Sequence, residues 1–202
     1  TVDPQARHGH KTNHRGFDGY KGHAAMDPDS EIITAVAVTP ANTGDGEPVA
    51  FLIADLTRPD PADPPTTAGD DAAAVYGDSA YGAGDVLEQL EHAGIDAMTK
   101  VPPPVAPGGM FTKDQFDINL QTRTVTCPNG ITVPIRPVRG DKKLAGQAEF
   151  GLHCRTCPLA DMCTKSKSGR RISNSRHEAR LTTARARQND PAWKADYRAT
   201  RP

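Results

Sequence analysis

The polarity pattern divides the first hundred residues into short blocks. Residues 17–26 (FDGYKGHAAM) roughly alternate in polarity and predict a strand. Asp27-Pro28-Asp29-Ser30 predicts a turn, because Asp and Ser hydrogen-bond their own backbone and Pro fixes φ. Glu31–Thr39 (EIITAVAVT) is β-branched and predicts a second strand, so that the two form an antiparallel hairpin. After a loop at Pro40–Asp45, Pro48–Thr57 (PVAFLIADLT) carries Pro near a helix start and predicts a short helix packed on the sheet. A Pro- and Asp-rich connector covers residues 58–71. The run Ala72–Tyr76 is too short for apolar content alone to separate strand from helix. Asp70-Asp71 before it and Gly77 after it favour strand. Asp85–Ala93 (DVLEQLEHA) predicts a helix stopped by Gly94 in the C′ position, followed by a short strand near Asp96–Lys100.

The pattern changes at Val101. VPPPVAPGG excludes helix and central strand and marks a boundary. Two weak strands are expected near Gln115–Leu120 and Thr122–Thr126, then a cysteine-bearing segment to about Lys165. Ser175–Asp196 has Ala, Arg, Leu and Gln at helical density, broken by Asp190-Pro191. The expected organisation is an irregular basic lead-in at 1–16, an α/β core at 17–100, a Pro-rich linker and cysteine-bearing insert at 101–170, and a basic helical segment at 171–202.

Composition adds that 202 residues can bury one core, although 36% hydrophobic residues, 18 Gly and 18 Pro imply long irregular stretches. The mean hydropathy is −0.58. No apolar run approaches the roughly 18 residues of a membrane span, and no secretory signal opens the chain, so a cytoplasmic protein is expected. The net charge of −1 hides a division. Residues 1–100 carry 6 Lys/Arg against 17 Asp/Glu, and residues 101–202 carry 18 against 8. A basic second half points to a polyanionic partner, because Lys and Arg gain affinity by releasing counterions from nucleic acid.

Candidate chemistry falls in both halves. Cys154-Arg155-Thr156-Cys157 has the spacing that lets two thiolates bind one tetrahedral Zn²⁺. Cys163 follows, and Cys127 precedes a turn at Pro128-Asn129-Gly130, so one four-cysteine site uses every cysteine. His153 in place of one thiolate is the variant, and free or disulfide-bonded thiols are the competing reading; without a secretion signal, disulfides are disfavoured. Lys165, Lys167, Arg170, Arg171, Arg176 and Arg180 form a basic tract suited to phosphate contacts. Few aromatics interleave with it, which favours duplex DNA over single strands. His8, His10 and His14 read as a solvated basic arm. Asp78 would close the Ala72–Tyr76 strand at its carboxyl end, where open α/β sheets place their sites, although Asp is also an ordinary turn residue.

Taken in order, FDGYKGH, AAMDPDSEIITAVAVTPANTGD, VYGDSAYG, CPNG and CRTCPLADMC resemble the DDE transposases of bacterial insertion sequences, in the subgroup with a cysteine-bearing insert. The resemblance covers nearly the whole chain. It implies a partial RNase H-like domain (a mixed sheet with helices) interrupted by a small cysteine-containing insert, which the cysteine spacing above marks as zinc-binding. It implies that Asp78, in Asp-Ser-Ala-Tyr-Gly, is the second of three metal-binding acids. In such enzymes three carboxylates hold two Mg²⁺ or Mn²⁺ ions about 3.5–4 Å apart that activate the attacking hydroxyl and stabilise the leaving oxygen. The implied partners are double-stranded DNA, as transposon ends and target, and further copies of the chain. The family's first acid lies upstream and its third on a helix after the insert, so the chain is expected to be truncated at both ends and inactive alone. Glu178 is expected at the surface. A non-catalytic, zinc-stabilised DNA-binding remnant is the alternative.

Overall fold

The structure, a computed structural model, describes residues 3–12, 14–57 and 73–200. The connector expected at 58–71 and the first residue of the Ala72–Tyr76 run lie outside the described residues. The chain forms two compact units, Thr1–Val101 with Ala184–Pro202, and Pro102–Thr183.

The first unit opens with strands β1 (Arg7–Thr12), β2 (Arg15–Met26) and β3 (Ile33–Pro40), antiparallel and in that order. The hairpin expected from 17–39 is present. Its turn is closed by Asp27, whose carboxylate accepts hydrogen bonds from Ser30 Oγ and the Asp29 amide. Strand β1 corrects the irregular reading of residues 1–16. The segment RHGHKT carries no apolar residue and gives no alternation signal, and backbone pairing with β2 sets the conformation. Along β2, Lys21, His23 and Ala25 face inward while Tyr20, Gly22, Ala24 and Met26 are exposed, as a period of two requires.

Helices α1 (Val49–Leu52) and α2 (Ala54–Thr57) follow, with Pro48 as the N-cap of α1. Strand β4 (Ala74–Gly77) pairs in parallel with β5 (Asp96–Thr99), and α3 (Gly84–His92) connects them. The α3 stop is the expected one. Gly94 has φ +69°, its amide donates to Glu91 O at 3.1 Å and the Ile95 amide donates to Leu90 O at 2.9 Å. These two bonds make a Schellman motif, in which only the residue at C′ needs the left-handed backbone. Leu90 and Ile95 also pack together in a buried cluster with Val49, Ile53 and Val86. The parallel pair and the antiparallel triple form separate sheets among the described residues, where one mixed sheet was expected.

The second unit is a five-stranded antiparallel sheet of order β10-β9-β8-β7-β6. Its strands are β6 (Asp117–Asn119), β7 (Thr124–Thr126), β8 (Thr132–Arg136), β9 (Leu144–Glu149) and β10 (Arg171–Ser175). The first two were expected; the other three were not. In β8, Val133 and Ile135 alternate with exposed residues, but Pro134 disguises the strand. The core comprises Phe116, Val125, Val133, Ile135, Ala148, Phe150, Cys163 and Ile172. Between β9 and β10 run a 3₁₀ turn at Gly151–Cys154 and helix α4 (Ala160–Cys163).

Helix α5 (Glu178–Arg187) begins on the capping-box sequence Ser175-x-x-Glu178. The His177 amide donates to Ser175 Oγ at 3.1 Å and the Ser175 amide donates to Glu178 Oε2 at 3.0 Å. Glu178 is 4% exposed, which corrects the surface expectation. Lys113 Nζ donates to the same carboxylate from 65 residues away, and a buried charge persists only when so paired. Helix α6 (Pro191–Thr200) completes the first unit, where Trp193 and Tyr197 are buried with Met98.

Candidate functional site

Asp78 follows the last residue of β4 and is exposed. Its Oδ1 accepts the Ala80 amide at 2.8 Å, and its carbonyl accepts the Tyr81 amide at 3.1 Å. The carboxylate thus caps its own tight turn while standing open to solvent, so the two readings of the sequence are compatible.

Three ties hold that turn. The Tyr197 hydroxyl donates to Gly77 O at 3.0 Å, and the Lys100 amide donates to the same carbonyl at 3.2 Å. At Gly82 a Cβ would stand 1.9 Å from Lys100 O, so only glycine admits this approach of the turn to the end of β5. On the third side, His23 Nδ1 lies 3.2 Å from the Tyr81 hydroxyl, and His23 Nε2 lies 2.9 Å from Thr39 Oγ1. His23 is buried, and both ring nitrogens therefore have partners.

Charge gathers around Tyr81. Lys21 Nζ donates to Asp45 Oδ1 and to Thr43 O, each at 2.8 Å. Burial pushes the Tyr81 phenol upward, and the nearby Asp45 and Asp78 carboxylates push it further. Lys21, His23, Asp45 and Tyr81 were not singled out from sequence as site residues. The legible signal was a Lys and a His two apart on one face of a strand with few other polar inward positions. Asp78 fits a divalent ion as a single hard-oxygen ligand: Oδ1 is tied to a backbone amide and the carboxylate is accessible. Among the described residues no group of three or more His, Cys, Asp or Glu is arranged to hold a metal ion. His8, His10 and His14 are no exception; His8 Nδ1 binds Asp18 Oδ1 at 2.8 Å and its ring meets His10 edge-on.

In the second unit Cys127, Cys154, Cys157 and Cys163 line one pocket with His153, Phe111, Ile131, Phe150 and Arg170. All four are free thiols, and only Cys163 is fully buried. Burial pushes the Cys163 thiol up; Arg170 opposes this, and the other three cysteines add to it.

The basic tract divides. Lys165, Lys167, Arg171 and Arg176 are exposed, with Arg171 paired to Glu149 at 2.9 Å and Arg176 Nε donating to His177 Nε2 at 2.6 Å. Arg180 is half-buried. Arg170 turns inward: its guanidinium donates to Cys163 O at 3.1 Å and Phe111 O at 3.0 Å, and it lies over the Phe116 ring.

Residues 1–189 match the family model described as the transposase DDE domain. The chain belongs to this family, whose members act on DNA in transposition. No curated protein and no solved structure matches the chain. No helix among the described residues is long and apolar enough to cross a membrane.

Proposed function

We propose that Asp78 is one of the metal-binding acids of a transposase that cleaves and joins transposon-end DNA by two-metal phosphoryl transfer. The observation that carries this reading is an exposed carboxylate at the carboxyl end of a parallel strand, on a turn held by Tyr197, Gly82 and the His23–Tyr81 pair. A rigid strand end keeps a ligand within the narrow tolerance that two-metal chemistry demands. Mg²⁺ or Mn²⁺, when bound, supplies Lewis-acid stabilisation at the reacting phosphorus. The part of the chain's own residues is to aim Asp78 and to hold duplex DNA. Lys165, Lys167, Arg171, Arg176 and Arg180 give the second unit its phosphate-binding face. In this reading the working enzyme is a multimer on paired ends, to which this chain brings Asp78.

Paramagnetic broadening by Mn²⁺ tests the metal assignment on this chain directly. Amides 77–82 should broaden in the wild type and stay sharp in Asp78→Asn. In a complete transposase the same substitution should cut strand transfer on the order of 10³-fold while leaving DNA binding intact. Joining of ends by the variant would sink the reading. Lys165→Ala/Lys167→Ala should reduce the salt slope of duplex binding by about 1 for each phosphate that is no longer neutralised. Salt-dependent DNA binding with no Mn²⁺ effect at residues 77–82 would instead leave a non-catalytic DNA-binding module.

A further inference from the structure

The cysteines of the second unit have no part in the Asp78 chemistry, yet three separate elements bring them to one pocket. Cys127 opens the β7–β8 turn, where its amide donates to Ile131 O at 2.9 Å and the Gly130 amide donates to Cys127 O at 2.8 Å. Gly130, at φ +77°, lets that turn close. Cys154 ends the 3₁₀ turn, and the Cys157 amide folds back toward Cys154 O at 3.4 Å, so a second tight turn carries two thiols. Cys163 ends α4 at the base of the pocket.

Arg170 joins these pieces. Its amide donates to Cys154 Sγ at 3.3 Å and so ties the start of β10 to this thiol. Its guanidinium binds the carbonyls of Cys163 and Phe111. The positive charge stands where a tetrathiolate site would carry net negative charge. The unit also has reason to need a staple. Its core is one cluster of eight buried residues in a segment of about eighty, a size at which apolar burial alone gives little margin.

We propose that Cys127, Cys154, Cys157 and Cys163 bind one structural Zn²⁺ as thiolates, with Arg170 as the positioning residue beneath them. Two short turns and a helix end are the supports such sites use, and the soft thiolate set selects Zn²⁺ over Mg²⁺. The four thiols line the pocket without closing on a common centre. Cys127, Cys154 and Cys157 are half-buried, so their side chains keep rotational freedom for metal to draw the sulfurs together. Binding releases the thiol protons and couples to ordering of the unit.

The test uses the full chain, refolded without metal under reducing conditions and titrated with Co²⁺, then Zn²⁺. One Co²⁺ per chain with the intense visible absorption of tetrahedral thiolate coordination is expected. Zn²⁺ should displace it and protect all four thiols from a disulfide reagent. Each Cys→Ser variant should lose at least about 100-fold in affinity, and Arg170→Ala about 10- to 100-fold. His153→Ala should bind as the wild type does. Four thiols that stay reactive in excess Zn²⁺ would overturn the site, whether or not any variant folds. Paired disulfides in the chain isolated under reducing conditions would do the same. A signal lost with His153→Ala but kept in one of the Cys→Ser variants would overturn the ligand set.

Discussion

The two units solve the problem of stability differently. The first, with 11 Lys/Arg against 19 Asp/Glu, rests on apolar packing between helices and sheets: Val49, Ile53, Val86, Leu90 and Ile95 in one cluster, Met98, Trp193 and Tyr197 in another. The second, with 13 Lys/Arg against 6 Asp/Glu, has a single small core and adds polar ties to it. Lys113–Glu178, the inward Arg170 and the four-cysteine pocket all connect residues that its short strands leave apart. A site that must hold one carboxylate still is better built on the first plan. A module that must present positive charge gains from the second, since a few fixed ties free its surface for Lys and Arg.

The sharpest way to break this comparison is Glu178→Gln. It leaves the half-buried Lys113 against a neutral partner and removes a charge that also caps α5. The second unit should lose about 3–5 kcal/mol in urea unfolding, followed by far-UV circular dichroism. A loss under about 1 kcal/mol would mean that the polar ties are ornamental and that the core of this unit suffices. The counterpart in the first unit is Leu90→Ala, a truncation at a fully buried position. It should cost about 2–5 kcal/mol. Trp193, the sole tryptophan, is buried in this unit against Tyr197, with ring centroids 4.9 Å apart, so its fluorescence reports the first unit selectively.

Much of the first unit was legible because its signals are local. The 17–39 hairpin, the α3 helix and its Gly94 stop each rest on residues within a few positions of one another. The position of Asp78 at a strand end was legible for the same reason. What surrounds it was not. His23 meets Tyr81 across 58 residues, and the Asp45 carboxylate comes beside the same phenol through folding alone. In the second unit the local signals themselves fail. LAGQAE and RISNS are too polar to announce strands, and they pair because β9 and β10 lie in register from Arg171–Glu149 onward. Glu178 looked like a surface residue for want of any local hint of Lys113.

A smaller effect probes how the first unit braces its site. Tyr81→Phe removes the hydroxyl beside His23 while keeping the ring in its cluster. The cost should be about 1 kcal/mol, the ordinary worth of one hydrogen bond. Mn²⁺-induced broadening at residues 77–82 should weaken with it if the turn aims Asp78. An unchanged broadening profile would make His23–Tyr81 a purely structural pairing.

The smallest effect concerns charge. Arg187 binds Asp96 through both guanidinium nitrogens at the start of β5, and this pairing holds the Asp96 carboxyl below its usual range. Because the folded pKa is depressed, the pair's contribution is complete above the unfolded value of about 3.9. It is lost as the pH falls through the lower folded value. Both side chains are partly exposed, so solvent screening limits the gain to about 0.5 kcal/mol. Asp96→Asn should therefore lower first-unit stability slightly at pH 7 and leave it equal to wild type once the pH is well below about 3.9. Added salt at pH 7 should shrink the difference between the two proteins. A deficit that persists at low pH would place the role of Asp96 in backbone geometry, since Asp96 N also donates to Ala73 O at 2.8 Å at the head of the parallel pair.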